Sequence, residues 1–393
     1  ELGMKRESIV AVSECGSYDE KQLAAILRSH FAVFGYDRAF FEGKRVVIKP
    51  NLVMKKSPDA AATTHPAVLG AVLCVLGEMG VAPVIAESPG GIYNRQRLEG
   101  IYRVCGIAET AQRYGAQLNY DTSAVHVPFA EGRKVKMFHI ISPIVEADVI
   151  IDLCKLKSHS LTKMSAAVKN LFGTIPGIEK FEMHATFPEY GDFGAMLCDL
   201  CELLCREKTV IAVTDAVVGM EGNGPTQGSA RPIGCLIAAQ SAHKLDLAAC
   251  GLIGLTPGEI PTLSAAIRRG LCPDSAEKLT IFGDPAAFTV PDYKTVPSQA
   301  SVFFRSGGKG PFSRLADSVK FHMFTPLPKL RSKDCVGCKK CANICPAKAI
   351  TMKRGKPRID RKACIHCFCC QEFCPKGAMR VGRSAFAKLL ERG

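Results

Sequence analysis

Two cysteine runs near the end of the chain limit its folding more than any other feature. Cys335, Cys338, Cys341 and Cys345 stand in the pattern C-x-x-C-x-x-C-x-x-x-C-P. Cys364, Cys367, Cys370 and Cys374 repeat it, with Pro375 where the first run has Pro346. This spacing puts three soft sulfur donors on one tight loop and the fourth about a helical turn away, an arrangement that suits a cubane iron–sulfur cluster. A zinc site takes four ligands, usually as two separated pairs, and does not need a third cysteine in each loop. A disulfide framework requires an oxidising compartment, and nothing in the sequence points to export. Each run is followed by a short strand candidate, Ala349-Ile350-Thr351-Met352 and Ala378-Met379-Arg380-Val381. The tail reads as two copies of loop, short helix and strand folded face to face, a small α+β domain.

Over residues 331–382 this stretch resembles the bacterial two-cluster ferredoxins. The resemblance implies two 4Fe–4S clusters with crossed ligation, in which the fourth cysteine of each run serves the other cluster. Cys335, Cys338, Cys341 and Cys374 would hold one, and Cys364, Cys367, Cys370 and Cys345 the second. Cys369 is extra to that pattern and is expected to pack or to sit near the second cluster.

The length of 393 residues and an apolar share of 47% allow two or three domains with a large core. No stretch reaches the roughly 18 uninterrupted apolar residues of a membrane span. The opening residues lack the apolar region and cleavage pattern of a signal peptide, and Met4 reads as the native start. Nineteen cysteines fit a reducing cytoplasm and an anaerobic or low-oxygen life. Those outside the two runs, such as Cys198, Cys201 and Cys205, lie in apolar helical patterns and read as small buried hydrophobes.

The formal charge of +14 is localised. From Arg331 to Gly393 there are 16 Lys and Arg against 4 Asp and Glu, and the rest of the chain is close to balanced, 35 against 33. Positive surface around a cluster favours its reduced state and attracts an acidic redox partner. Nucleic-acid binding is not expected, because the basic stretch lacks an aromatic stacking platform.

The rest of the chain alternates strand, loop and helix, the pattern of an α/β fold with a largely parallel sheet. Strand candidates are Val46–Ile48, Pro83–Ala86, Asp148–Cys154, Thr209–Thr214 and Ile233–Ala239. A helix is expected to open at Pro66 with Thr64 or His65 as its cap and to end at Gly77 or Gly80. Others are expected over Arg97–Cys105 and Ala242–Leu252. The predicted organisation is an α/β domain over 4–290, a Pro- and Gly-punctuated linker over 291–330, the ferredoxin-like domain over 331–382 and a short helix or tail over 383–393.

Polar segments fall repeatedly at the carboxyl ends of the predicted strands, where open α/β sheets bind ligands. Lys155, Lys157 and His159 alternate, so an extended backbone would turn them to one side. With Lys163 and Lys169 they suggest a pocket for a carboxylate or phosphate, in which the lysines act as point charges. His159 has the chemistry of a proton donor or metal ligand. The bland reading of the same residues is a solvated basic loop. Asp215 and Glu221, beside Gly222, Gly224 and Gly228, would bind a divalent metal or hold the lysines in register; the bland reading there is a tight surface turn. No G-x-G-x-x-G lies between a strand and a helix and no Walker A sequence occurs, so neither NAD nor ATP is indicated.

The segments V-V-I-K-P-N-L at Val46–Leu52, T-T-H-P at Thr63–Pro66, K-L-K-S-H at Lys155–His159, K-N-L-F-G at Lys169–Gly173 and D-A-V-V-G-M-E-G-N-G-P at Asp215–Pro225 resemble the "domain of unknown function 362" family. That family often carries a ferredoxin tail, and its chemistry is generally unassigned. The resemblance implies shared site positions at Lys49, Asn51, Thr64, His65, Lys155, Lys157, His159, Lys169, Asn170, Asp215 and Glu221.

The leading expectation is a cytoplasmic iron–sulfur oxidoreductase that passes electrons from two clusters to a small anionic substrate, such as one with an activated double bond. His159 would be the proton donor, and Lys155 and Lys157 would act beside it. Two rival expectations stand. One is a non-catalytic electron-transfer protein whose lysines form a docking face. The other is a redox sensor holding a metal or cofactor at His65, His159, His184, Asp215 and Glu221. A flavin would bridge one- and two-electron steps, but the sequence has no flavin fingerprint.

Overall fold

Val46–Pro50 and Val149–His159 have no exposed residue on either face. Strands buried on both sides require a sheet covered by helices on both sides, and the computed structural model, which describes residues 9–296 and 326–382, has that architecture. In the large domain the strands are β1 (Ile9–Glu14), β2 (Val46–Pro50), β3 (Val84–Ile85), β4 (Gln117–Leu118), β5 (Ala124–Pro128), β6 (Met137–Ile141), β7 (Val149–His159), β8 (Lys163–Ser165), β9 (Thr209–Glu221), β10 (Ser229–Ala239) and β11 (Thr280–Phe282). Nine of them form one sheet in the order β11-β1-β10-β9-β7-β2-β3-β4, with β8 added to β7; β5 and β6 pair separately. From β9 through β7, β2 and β3 to β4 all pairings are parallel. β10 is antiparallel to both of its neighbours.

The helices form two layers. Glu20–Phe34, Pro66–Glu78 and Arg95–Val104 cover one face, where Leu23, Phe31, Val68, Leu76 and Ile101 meet Ile151. Tyr190–Glu207, Ala242–Leu252 and Pro261–Arg269 cover the other, where Phe193, Leu200, Leu245 and Leu263 meet Ile150. Adjacent residues of β7 thus feed opposite cores. Among the described residues no helix is long and apolar enough to cross a membrane.

Several boundaries differ from the sequence expectation for local reasons. The helix expected at Arg97 starts at Arg95, because the Asn94 side chain accepts from the Arg97 amide at 2.9 Å. The cap of the helix opening at Pro66 is His65, whose Nδ1 accepts from the Ala67 amide. β7 runs on to His159, because Lys157, Ser158 and His159 pair with β8. The Lys155–His159 segment is therefore buried strand rather than a loop beyond one.

The small domain comprises β12 (Leu327–Leu330), β13 (Ile350–Lys353), β14 (Lys356–Ile359) and β15 (Met379–Gly382), with one short helix in each cysteine run, Lys340–Asn343 and Cys369–Glu372. β12 pairs with β15 and β13 with β14, both antiparallel, so this domain begins inside the segment read as linker. Earlier in that segment Tyr293 packs against the large domain, donating its hydroxyl to the Met220 carbonyl at 2.5 Å. Linker residues 297–325 and the tail 383–393 lie outside the described residues.

Candidate functional site

From β2 the chain moves outward to β3 and β4, then returns to lay β7 on the opposite side of β2 and β9 beyond it. The carboxyl ends of β2 and β7 therefore border a topological switch point, the place where open α/β sheets leave a crevice. Lys49 and Asn51 stand at the end of β2, Glu87 follows β3, and the turn Ala167–Asn170 lies beyond β7. The Lys49 ammonium donates to Glu87 Oε2 at 2.7 Å, Asn170 Oδ1 at 3.0 Å and the Pro50 carbonyl at 3.0 Å, so all three of its protons are used. Asn170 in turn donates to Asp152 Oδ1 at 2.7 Å and to the Lys49 carbonyl at 3.2 Å. Asn51 donates to Asn170 Oδ1 at 2.8 Å and accepts from Lys157 Nζ at 2.7 Å. Thr64 ties these ends together, accepting from the Asn51 amide and donating to the Leu153 carbonyl. Position 173 must be glycine for this network to close, because a Cβ there would overlap the Lys49 and Glu87 side-chain ends.

Above this network lies a small recess, partly open to solvent. Lys169 and Lys180 line it beside the Lys49–Glu87 pair, Phe172, Phe181 and Pro89 form its apolar wall, and Glu372 and Phe373 of the small domain close one side. Lys180 donates to the Ser88 carbonyl. The Lys169 ammonium stands 4.4 Å from the Phe172 ring centroid, and among the described residues no hydrogen bond reaches it. Burial pushes Lys180 down to about 7 and Lys157, behind the recess, also down to about 7. Lys169 is lowered for the same reason, against the field of Glu372. Burial raises the Glu372 carboxyl, and Lys169, Lys157 and Lys180 oppose that shift. Positive charge that the protein does not fully pair, next to aromatic walls, suits a small anion with an apolar body.

The remaining expected site residues form other groupings. Lys155 does not reach the recess: its ammonium donates to Asp215 Oδ2 at 2.8 Å and to the Tyr18 hydroxyl at 2.8 Å. Tyr18 donates to Asp215 Oδ1 at 3.0 Å and stacks on His65 at 3.6 Å, and the His65 amide donates to Asp215 Oδ2 at 3.0 Å. The separation arises at a bulge in the β7–β9 register between Lys155 and Lys157. His159 is also outside the recess lining. Its Nδ1 accepts from the Leu161 and Thr162 amides, and burial beside Lys169 and Lys157 keeps the ring neutral. Glu221 accepts from the Lys294 amide at 3.1 Å, away from Asp215. His184 lines the recess and stacks on Phe193 at 4.4 Å. The five residues expected to share a metal thus do not converge. Among the described residues no three His, Cys, Asp or Glu side chains are grouped as a single ion would require. Sequence reading missed Glu87 and Lys180, whose isolated positions carry no motif, and Phe373, which belongs to the other domain.

Residues 46–251 match the family described as "Domain of unknown function (DUF362)". A relative, the thylakoid-associated protein of Synechocystis sp., is 30% identical over 292 residues, which cover 72% of this chain and 87% of that protein. The chain belongs to the DUF362 family. Residues 327–375 match a 4Fe-4S dicluster domain. Among solved structures, the DUF362 chain is similar to the lactate racemase apoprotein from Thermoanaerobacterium thermosaccharolyticum, with a TM-score of 0.38 and 14% identity over 63% of this chain and 57% of that one. It is also similar to a Thermotoga maritima protein, with a TM-score of 0.36 and 13% identity over 56% and 55%. The chain thus spans a little over half the length of these two structures.

In this family member the dicluster domain surrounds two cavities. One is lined by Cys335, Cys338, Cys341 and Cys374; the other by Cys345, Cys364, Cys367 and Cys370. Each quartet takes three sulfurs from one run and one from the other, the grouping that crossed ligation requires. Left-handed backbone occurs at corresponding places in the two runs, at Gly337 and His366 and again at Lys339 and Phe368, and wraps each loop around its cavity. The Ala349 amide donates to Cys345 Sγ at 3.3 Å and the Ala378 amide to Cys374 Sγ at 3.2 Å, contacts that stabilise thiolate sulfur. Each quartet supplies the four thiolates that a 4Fe–4S cluster takes.

The glycine-rich loop after β9, read in the sequence as a charge-positioning turn, is the seat of the dicluster domain. Gln371 Nε2 donates to the Asn223 carbonyl at 2.9 Å and the Gly224 carbonyl at 3.2 Å. Thr226 Oγ1 donates to the Glu372 carbonyl at 2.6 Å, and Gln227 Nε2 to the Cys374 carbonyl at 2.8 Å. Phe373 meets Phe181 edge to face at 5.3 Å. These contacts lie along the second cysteine run and hold it over the recess.

Proposed function

We propose that this DUF362 protein is an iron–sulfur reductase whose substrate is a small organic anion bound in the lysine recess. The observation that carries the reading is the shared wall: Glu372 and Phe373, which close the recess, lie in the chain between Cys370 and Cys374, one from each quartet. The dicluster domain thus stands beside the cavity that would hold the electron acceptor. When bound, the two clusters supply electrons one at a time.

The chain's own residues account for binding and proton supply. Lys169 and Lys180 hold the anionic group as point charges, and Phe172, Phe181 and Phe373 exclude water from the rest of the molecule. Lys180, with its pKa pushed to about 7, can give up a proton near neutrality and recover it from solvent. A carbon–carbon double bond conjugated to the anionic group is the acceptor class favoured here. Its reduction consumes two electrons and two protons, and the conjugated anion gives the lysines a handle. The proton-donor role expected of His159 passes to Lys180, which lines the recess.

The test is anaerobic. The full chain with both clusters assembled is reduced chemically and then mixed with a panel of small conjugated and saturated carboxylates, while cluster absorption and paramagnetic resonance are recorded. A conjugated member should reoxidise the clusters and appear as its saturated product. Lys169→Met should weaken its binding by at least about tenfold, a loss of one charge-assisted contact. If no anion binds or reoxidises the clusters, an electron-carrier role replaces this reading.

A further inference from the structure

The two cysteine runs share one pattern, but their surroundings differ. Val336, Lys339, Lys340 and Asn343 of the first run are exposed. At the corresponding places of the second, Ile365 and Glu372 are half-buried and Phe368 and Cys369 are buried. The second run is covered because Gln371, Glu372 and Phe373 rest on the DUF362 domain. The same face of the first run is open, and its residues are lysines where the second has Phe368 and Cys369.

We propose that this open face is the docking surface for an acidic one-electron carrier protein, which makes the first quartet the point of electron entry and the second-run side the exit toward the recess. This rests on the electron-delivery reading above. Three observations carry it. Val336 is 62% exposed, a large apolar side chain that the dicluster domain leaves in water. Val336, Lys339, Lys340 and Lys376 line the same cavity as Cys335, Cys338, Cys341 and Cys374, so a protein seated on them abuts the cluster ligands directly. The nearby carboxylate, Asp334, is held by Arg331 at 3.2 Å and Arg380 at 3.9 Å, which leaves the lysines unneutralised. An apolar centre ringed by cations complements an acidic rim, and such rims govern association rate and partner choice. A second copy would bring the same lysines against themselves, so self-docking through this face is disfavoured.

The experiment uses the full chain with both clusters assembled and oxidised, titrated calorimetrically with an oxidised acidic flavodoxin at low and at high ionic strength. Binding is expected at low salt and is lost at high salt. Lys340→Glu should weaken it by at least about tenfold, whereas Lys362→Glu, beside the second run, should change it by less than about twofold. Iron content and visible absorption are checked first; if Lys340→Glu loses iron, Lys340→Gln is read in its place. Equal weakening by the two charge reversals, or none by either, overturns the proposal. So does self-association abolished by Lys340→Glu, which would assign the face to a second copy. So does a DNA duplex that binds with the same salt dependence and the same loss. Reoxidation of the clusters by recess ligands would survive each of those failures, so the two readings fall separately.

Discussion

Lys155 and Lys169 lie on either side of one short stretch of chain, and burial lowers both of their pKa values. Their environments nevertheless differ in kind. Lys155 is 1% exposed and bonded to Asp215 and Tyr18, and the Asp215 carboxylate also accepts the His65 amide. Lys169 has an aromatic ring beneath it and the recess in front of it. Charge matched by its own protein locks elements together, here β7, β9 and the loop carrying Tyr18. Charge left unmatched at a switch point is available to a ligand. Both lysines belong to motifs that look equally functional in sequence, and only the partners separate a structural role from a binding role.

The largest effect that would sharpen this contrast is on stability. Lys155→Ala leaves Asp215 buried without its cation, which should cost about 3–5 kcal/mol. Urea unfolding of the full chain measures it, and a loss under about 1 kcal/mol would erase the distinction between the two lysines. Lys169→Met should change stability less, because among the described residues Lys169 makes no ion pair and the field at Glu372 is shared with Lys157 and Lys180, while recess binding falls.

A smaller effect concerns the wall supplied by the dicluster domain. Gly90→Ala places a methyl group against the Phe373 ring; overpacking of this kind typically costs about 1–3 kcal/mol. The domains should separate more readily, seen as faster proteolytic cleavage between them and weaker anion binding in the recess. Unchanged proteolysis and unchanged binding would mean that the wall does not depend on that contact.

A third effect is a pair of slopes with pH. Burial pushes Lys180 down to about 7 in the folded chain and lowers Lys157 as well, from about 10.4 when unfolded. Anion affinity should therefore be greatest below pH 7 and should fall as the pH rises through it. Stability should move the other way. Between about 7 and about 10.4 the unfolded chain binds more protons at these lysines, so their contribution rises with pH. Lys180→Met should flatten both slopes, measured by calorimetric titration and by urea unfolding across that range. A flat affinity profile in the unsubstituted chain would remove Lys180 from the recess chemistry.

The cysteine runs were fully legible because their information is local: spacing alone puts three sulfurs on a loop. The strand and helix order was legible for a similar reason, since buried parallel strands such as Val149–Cys154 write their apolar character into consecutive residues. Lys49, Asn51, Lys169 and Asn170 were likewise found through contiguous motifs, and the structure brings them together. Glu87 and Lys180 had no such signal. Their importance comes from Lys49 and Ser88, partners far away along the chain. The glycine loop at 222–228 reads in the sequence as a close backbone approach or a tight surface turn, and nothing in it says that another domain rests on it.

By itself the sequence determined the two cysteine runs, the α/β alternation and the concentration of positive charge in the tail, because each follows from residue type and short-range spacing. Only the tertiary structure decided which lysines remain unpaired. A bulge in the β7–β9 register divides Lys155 from Lys157, and the packing of Phe373 against Phe181 sets the small domain over the recess. Hydrogen-bond partners and burial are properties of distance in space, and the residues that impose them are scattered along the chain.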